Sequence, residues 1–368
     1  MQVASEPTVG SVDVGPSDER EGEVAALSPR QLFWREFRKD KLAIASIVFI
    51  VVMVLLAIFA PLIAKYVVHH GPNQIFINET LNQYGLPKGP NSKFWFGADD
   101  AGRDLFVRVL YGARTSLIVA FFATGISLVI GVTVGLLSGF HRGKVDTVLS
   151  RFTDIIMSLP VLLLALGLVA GCGLQAQGCL WGFIKPGLLL VSYVIALFNW
   201  PYIARLVRGE VLRLREKDFV EAASAAGAGN VRIMLREVLP NVFAPVLVFT
   251  TLIIPNNILF EAALSFLGIG VPPTTPSWGK MLSDAGSIFT VAWWMMVFPG
   301  MFLFATTLAF NLLGDGLRDA LDPRTSSRRS TERRGWRGRR RKKKREEAAT
   351  TPGEGTHRAP VPSMEVSR

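Results

Sequence analysis

The chain has 368 residues, of which half are hydrophobic and only 19% are charged, and its mean hydropathy is +0.35. This composition excludes an ordinary soluble domain and favours an integral membrane protein. The formal net charge of +11 arises from residues 324–345, which carry thirteen Lys and Arg against one Glu. The positive charge is therefore a property of one tail and does not predict a nucleic-acid-binding fold.

The first 64 residues divide into an arm and a membrane entry. Residues 1–31 are acidic, contain Gly, Pro and Ser, and lack hydrophobic periodicity, which predicts a disordered arm on the cytoplasmic side. Residues 32–64 begin with an aromatic and basic anchor suited to lipid headgroups and continue as an apolar run from residue 42. At about 1.5 Å per residue, that run is long enough to cross a hydrocarbon core of about 30 Å.

A polar segment at 65–114 is predicted to lie outside the cell, and residues 115–323 are predicted to form a core of five further spans. These spans are expected at 115–139, 153–170 with a bend or a start near Pro160, 186–206, 242–267 and 292–313. Gly131, Gly135 and Gly139 lie along one face of the second span, a spacing that favours close packing against a neighbouring helix. The expected fold class is thus an all-α integral membrane protein with six transmembrane helices.

Positive charge predicts the orientation of these six spans. Lys and Arg are concentrated in the arm before the first span, in the loops after the second and fourth spans, and in the tail at 324–368. Six spans place these four segments on one side, which the positive-inside rule makes the cytoplasm. Both termini are therefore expected inside, with 324–368 as a basic disordered tail. The external segment departs from the rule with six Lys and Arg, which Asp99, Asp100 and Asp104 offset in part.

The loop at 208–240 contains a polar stretch rich in Ala and Gly between two apolar runs, EAASAAGAGNVRIMLREVLP at 221–240. Its alanines favour a helix whose small side chains let another surface approach the backbone. Gly227 and Gly229 with Asn230 are expected to stop that helix and form a tight turn, and Pro240 to close the unit. The stretch therefore predicts two short helices joined by a glycine turn, presented to water as a docking element.

This stretch resembles the EAA loop of the permease subunits of bacterial ABC importers. The matching residues are Glu221, Ala222, Ala223, Gly227, Leu239 and Pro240. One position departs from the pattern, because Glu237 occupies the usual Ile position and the apolar residue is Val238. The resemblance implies that the loop couples the chain to a cytoplasmic ATPase, with Glu221 as an ionic or helix-terminus contact and Gly227 as the turn that fits the groove of the ATPase.

Further stretches are similar to the C-type permease subunit of dipeptide, oligopeptide and related nickel importers. They are FGADDAGRD at 96–104, LYGARTSL at 110–117, Asp154 with Pro160, LSFLG at 264–268, PSWGKML at 276–282 and FNLLGDGLRDALDP at 310–323. The resemblance covers about residues 32–323. It implies the type I ABC importer permease fold in a bacterial cell membrane. It also implies four kinds of partner: a homologous second permease, two ATP-binding subunits, an external solute-binding protein, and the peptide that this protein delivers.

Two groups of residues outside the loop are candidate functional sites. The first is a charged external turn made of Asp99, Gly102, Arg103 and Asp104. Its members could pair with each other or with a docked binding protein. The second comprises the polar groups of the fifth span, Asn256, Asn257 and Glu261, and intramembrane polar groups point to a translocation path or gate. For Glu261, an interfacial position near the outer end of the span is an equal alternative.

The sequence contains no set of residues that would make the chain an enzyme. Neither Gly-Lys pair, at 143–144 or 279–280, has the surrounding residues of a Walker A loop. ATP and Mg²⁺ are therefore expected on partner subunits, and this chain is expected to bind no cofactor and no metal. Cys172 and Cys179 would form either a disulfide or two free thiols.

Other functions remain open on the sequence alone. The cargo would be a dipeptide, a longer peptide or a nickel chelate, a choice that the delivering protein makes. A stand-alone secondary transporter requires ionisable residues at mid-span, of which the apolar first, second and sixth spans supply few. The basic tail would bind anionic lipid, at about 1 kcal/mol per Lys or Arg near the surface, or only enforce orientation. No nucleic acid is expected as a partner.

Overall fold

The computed structural model describes residues 29–173, 187–272 and 274–321, and these residues form a helical protein. The helices are α1 Pro29–Phe37, α2 Lys41–Ile63, α3 Ile77–Thr80, α4 Leu105–Phe140, α5 Lys144–Ser158, α6 Val161–Gly173, α7 Leu188–Leu214, α8 Asp218–Ala225, α9 Asn230–Ile233, α10 Leu239–Phe266, α11 Trp278–Ala285 and α12 Trp294–Leu321. Short π-helical segments follow α2 and join α9 to α10, at Ala64–Val68 and Met234–Val238. The predictions for residues 1–28, for Cys179 and its pairing with Cys172, and for the tail after Leu321 lie outside the described residues.

Five helical stretches are long and apolar enough to cross a membrane. They are Lys41–Val68, Leu105–Phe140, Leu188–Leu214, Asn230–Phe266 and Trp294–Leu321. A further candidate consists of α5 and α6, which are bent by 84° relative to each other where Leu159 and Pro160 interrupt the helix. The structure therefore confirms an all-helical membrane protein with five or six candidate spans among the described residues.

Several span boundaries differ from the sequence prediction: α5 begins at Lys144, and α7 and α12 continue to Leu214 and Leu321, beyond the predicted ends at 206 and 313. Helix α4 begins at Leu105 rather than near residue 115, because the Asp104 carboxylate caps it by accepting hydrogen bonds from the backbone N–H groups of Phe106 and Val107. The expectation that Pro240 closes the polar unit is wrong. Pro240 lies in the first turn of α10, where its missing N–H costs little, and the helical path from Asn230 continues through it.

The glycine face of α4 packs closely against α7, as its spacing predicts. A Cβ atom at Gly131, Gly135 or Gly139 would lie 2.6–2.7 Å from side-chain atoms of Ile203, Val207 or Val211, respectively. These distances leave no room for a methyl group, since carbon atoms pack at about 3.5–4.0 Å. The backbones of α4 and α7 are therefore in direct contact, and this pair forms the centre of the helix bundle.

Candidate functional site

The polar stretch between α7 and α10 folds as two short helices around a glycine turn, which confirms the local structure predicted for it. Helix α8 ends in a Schellman arrangement, because the Gly227 N–H donates to the Ser224 carbonyl and the Ala228 N–H donates to the Ala223 carbonyl. Gly227 has a φ of +80°, a left-handed conformation in which any residue with a Cβ atom is strained. We call residues 218–238 the coupling segment.

The coupling segment has a buried face and an exposed face. Its buried side chains belong to α8, α9 and the π-helical turn, and they are Val220, Ile233, Met234 and Val238. Val220, Ile233 and Val238 join an apolar cluster that also contains Val207 and Val211 of α7 and Val242 of α10. Apolar packing thus fixes the segment to the ends of two spanning helices, α7 and α10.

The exposed face carries most of the residues predicted to contact an ATPase. Glu221, Ala222 and Gly227 are exposed, and apart from the adjoining residues no described part of the chain comes within 4 Å of a Cβ built on Gly227. Ala223 and Leu239 are half-buried against the apolar cluster, whereas Pro240 is exposed on α10. Glu221, Ala222 and Gly227 are therefore each accessible, whereas Ala223 and Leu239 belong to the apolar support of the segment.

The polar residues of α10 separate into an outward and an inward group. Asn256 is exposed and its amide donates to the Leu252 carbonyl of its own helix. Asn257 is fully buried, with its side-chain amide donating to Thr124 Oγ1 at 2.8 Å and its oxygen accepting from Asn199 at 2.7 Å. Asn257 therefore links α10 to α4 and α7 inside the bundle, whereas Asn256 faces away from it.

Glu261 is also fully enclosed by protein, which does not fit an interfacial glutamate. Its two carboxylate oxygens accept hydrogen bonds from Ser116 of α4 and Ser265 of α10, both at 2.7 Å. The Ser265 hydroxyl is in turn 3.4 Å from the Val271 N–H in the loop after α10. Glu261 thus ties the end of α10 to α4 and, through Ser265, to the following loop.

The charged external turn pairs largely with itself. Asp99 accepts from Arg103 Nε at 2.6 Å and lies 3.1 Å from Nε of the buried Arg108. Asp104, besides capping α4, lies 2.6 Å from Nδ1 of His70. Gly102 supplies the left-handed conformation between them, with a φ of +77°. These residues fasten the segment before α4 to the start of that helix.

Asp100 is the member of this turn that faces outward. Its side chain is half-exposed and lies 3.6 Å from Arg103. Partial burial, followed by the negative charges of Asp99 and Asp284, raises the pKa of the Asp100 carboxyl, while Arg103 opposes that shift. Asp100 is therefore the acidic group of this turn that remains available to a partner.

Sequence reasoning missed the partners that give these polar residues their positions. Asn199, Thr124 and Ser116 lie within the apolar stretches of α4 and α7, a signal that could have marked them as members of a buried network. A further pair, Asp146 with Arg208, joins α5 to α7 and was also missed. No sequence spacing indicates that pair, because 62 residues separate its members.

A bundle of apolar helices, five or six of which are candidate spans among the described residues, defines a polytopic membrane protein. The family model described as binding-protein-dependent transport system inner membrane component matches residues 131–327, and the model of the N-terminal TM domain of oligopeptide transport permease C matches residues 28–83. The chain belongs to this family of binding-protein-dependent transport components of the bacterial inner membrane.

Named relatives and a solved structure are similar over most of their own lengths. The dipeptide transport system permease protein DppC of Alkalihalophilus pseudofirmus is 40% identical over 83% of this chain and 94% of that protein. The glutathione transport system permease protein GsiD of Escherichia coli O6:K15:H31 is 40% identical over 81% of this chain and 91% of that protein. A chain of the inward-facing MetNI methionine ABC transporter covers 58% of this chain and 96% of its own length, with 20% identity and a TM-score of 0.49.

Proposed function

We propose that the chain is a permease subunit of an ATP-driven importer of dipeptides or oligopeptides. The observation that carries this proposal is the open face of the coupling segment, with Glu221, Ala222 and Gly227, on a support packed against α7 and α10. The permease relatives named for dipeptides and for glutathione support a peptide as cargo. A nickel chelate is the alternative cargo, and uptake assays with both substrates separate the two.

The membrane topology follows from the same proposal. Helices α5 and α6 form one bent span, which makes six spans of the type I ABC importer permease fold. Both termini and the coupling segment then lie in the cytoplasm, on the side that carries most Lys and Arg. Asn256, which is exposed on α10, is the residue of the intramembrane group that we assign to the translocation path.

The partners supply what this chain lacks. A homologous second permease forms the other half of the path, and two ATP-binding subunits hold ATP and Mg²⁺ and dock on the coupling segment. An external solute-binding protein delivers the peptide to the side that carries the charged turn around Asp99 and Arg103. The chain itself carries no cofactor and catalyses no reaction, so all the energy for transport reaches it through contacts that change with the nucleotide state of the ATPase.

The first test is purification of the tagged chain from its native membrane in mild detergent, followed by mass spectrometry and an ATPase assay with peptide-loaded binding protein. We expect a second permease and two ATP-binding subunits to co-purify, and peptide to stimulate ATP hydrolysis. A chain that purifies alone and moves solute without ATP would instead be a secondary transporter, and the proposal would be wrong.

Gly227→Ala and Gly229→Ala form a matched pair that tests the coupling segment. Within the part of the chain that the structure describes, neither added Cβ meets a non-adjoining atom within 4 Å, but Gly227 has a φ of +80° and Gly229 a φ of −72°. An alanine held in the left-handed region costs about 1–2 kcal/mol of conformational free energy. The turn is therefore destabilised in the Gly227→Ala variant but not in the Gly229→Ala variant. We expect peptide-stimulated ATP hydrolysis to fall only in Gly227→Ala, and to fall in Glu221→Ala as well. Parent-like stimulation in Gly227→Ala and Glu221→Ala would exclude this surface as the ATPase contact.

A further inference from the structure

Helix α5 has little apolar packing against the bundle: Phe152 stacks on Trp200 of α7, and Ile156 is partly buried against an apolar cluster. Thr153 is its one fully buried residue, while Val145, Val148, Phe152 and Ile155 are between 45% and 66% exposed. At its far end, the chain at Leu159 is extended and Pro160 has no N–H to donate, so helical hydrogen bonding does not continue into α6. The position of α5 therefore depends on its side-chain contacts with α4 and α7.

The principal contact is a bidentate ion pair between Asp146 of α5 and Arg208 of α7. Arg208 Nε donates to Asp146 Oδ1 at 2.6 Å, and Arg208 Nη2 donates to Oδ2 at 2.8 Å. Ser138 of α4 and Ser150 of α5 donate to Oδ1 at 2.7 Å and 3.1 Å. Three helices thus meet at one carboxylate, and the paired, parallel hydrogen bonds define its orientation as well as its position.

Three weaker contacts join α7 and the residues just after it to α5 or to residues at the end of α4. We call this region, where α7 faces α4 and α5, the border. Arg205 of α7 donates to Asp154 of α5 at 2.6 Å, although both side chains are about half-exposed. Arg215 donates to the Phe140 carbonyl at the end of α4 at 2.6 Å, and Arg142 pairs with Glu216. A cavity of about 520 Å³ is lined by residues of α4, α5 and α7 beside these links. The border is thus tied at a few points and is not filled with side chains.

The location of this border connects it to the coupling segment. Helix α7 ends at Leu214, and only residues 215–217 separate it from the start of α8 at Asp218. Arg208 therefore lies less than two helical turns before the end of the helix that the coupling segment is packed against, at about 3.6 residues per turn. A displacement of the segment that moves the end of α7 also moves Arg208.

We propose that the Asp146–Arg208 pair is a mechanical link that passes the displacement of the coupling segment to α5, and across the bend at Pro160 to α6. This inference rests on the proposed function and names two positioning residues for it. Without the pair, α7 and α10 still follow the coupling segment, but α5 no longer follows α7. ATP is then hydrolysed without a matching movement of the bent span.

The test uses the complete transporter reconstituted in proteoliposomes, with peptide-loaded binding protein outside. The variants are Asp146→Asn, Arg208→Gln, the double variant, and Arg213→Gln as a control. Arg213 is a matched control because it is on the same helix and, among the described residues, forms its ion pair with Glu210 of that helix. The readouts are subunit composition, ATP hydrolysis, peptide taken up per ATP hydrolysed, and hydrogen exchange of the amides at 144–158.

We expect each single variant to assemble and to hydrolyse ATP, with peptide uptake per ATP reduced by about tenfold, within the range typical of coupling between sites. The double variant should be no worse than either single variant, because both remove the same interaction. Exchange at 144–158 should accelerate in these three variants, while Arg213→Gln behaves like the parent. Any one of four results would overturn the link. These are an unchanged peptide uptake per ATP in the single variants, additive losses in the double variant, loss of subunits from the complex, and unchanged hydrogen exchange at 144–158.

Hydrogen exchange and peptide uptake separate this inference from the proposed function. Hydrogen exchange requires no cargo, so the anchoring of α5 by Asp146 is measured even if the parent complex transports no peptide. A parent that assembles without transporting peptide would contradict the cargo assignment alone. If the parent transports peptide and the Arg208→Gln variant transports it equally well, the result would contradict the mechanical link alone.

Discussion

The contact between α4 and α7 requires that Gly135 has no side chain, and a Gly135→Ala variant measures this requirement. A Cβ at this position would lie 2.6 Å from the Ala204 carbonyl oxygen and 2.6 Å from Val207 Cβ. The distance to Val207 Cβ is about 1 Å short of carbon–carbon packing distances, and both obstructing atoms belong to helix backbone or to a branched side chain close to it. The helices must therefore move apart, and overpacking of this kind costs about 1–3 kcal/mol.

Gly125→Ala is the matched control on the same helix. Beyond its own helical turn, a Cβ there meets none of the described residues within 4 Å, and both substitutions gain about 1 kcal/mol of helix propensity, which cancels in the comparison. The difference between the two variants therefore reports the helix contact alone. One kcal/mol corresponds to about 2–4 °C in domains of 150–250 residues, so we expect the thermal midpoint of Gly135→Ala to lie at least about 2 °C below that of Gly125→Ala.

The midpoint is measured by tryptophan fluorescence of the detergent-purified chain, at one scan rate for both variants because unfolding of membrane proteins is often irreversible. A Gly135→Ala midpoint equal to or above that of Gly125→Ala would refute the reasoning. It would show that α4 and α7 are separated enough in solution to accept a methyl group, and the glycine face would then have no packing role.

Two further stability measurements test the buried polar contacts. Glu261→Ala leaves the Ser116 and Ser265 hydroxyls without their acceptor at a cost of about 1–3 kcal/mol, whereas Glu261→Gln retains an acceptor oxygen. The same thermal assay should place the alanine variant below the glutamine variant, and equal midpoints would contradict the network. Asp104→Ala removes the N-terminal cap of α4 and lowers stability by about 0.5–2 kcal/mol, whereas Asp104→Asn keeps the cap. Hydrogen exchange of the Phe106 and Val107 amides should therefore accelerate only in the alanine variant.

The helices and the glycine turn could be predicted from the sequence because their determinants are local. An apolar run longer than twenty residues defines a span, and Gly227 after a run of alanines defines a helix end. The start of α4 could not be predicted in this way. Arg108 and Arg114 make residues 105–114 look external, and only the fold shows that Arg108 is buried beside Asp99.

The Asp146–Arg208 pair could not be predicted for a different reason. Both residues lie in segments whose Lys and Arg already account for the positive side of the membrane, so neither residue stands out. Their contact depends on where α5 lies relative to α7, and the two residues are 62 positions apart in the sequence. A sequence can indicate that a span is interrupted at a proline, but the direction in which the two halves then run is set by tertiary packing.

The intramembrane candidates show what helix position alone leaves undetermined. Counting residues along α10 gives the depth of a side chain in the membrane, but not the side of the helix on which it lies. Asn256 and Asn257 are neighbours, and successive residues of a helix with 3.6 residues per turn point about 100° apart. Packing against α4 and α7 then decides their roles, because it encloses Asn257 with Thr124 and leaves Asn256 exposed. A search for residues that touch the cargo should therefore begin at Asn256, since a substitution of Asn257 or Glu261 acts first on the bundle that holds α10 in place.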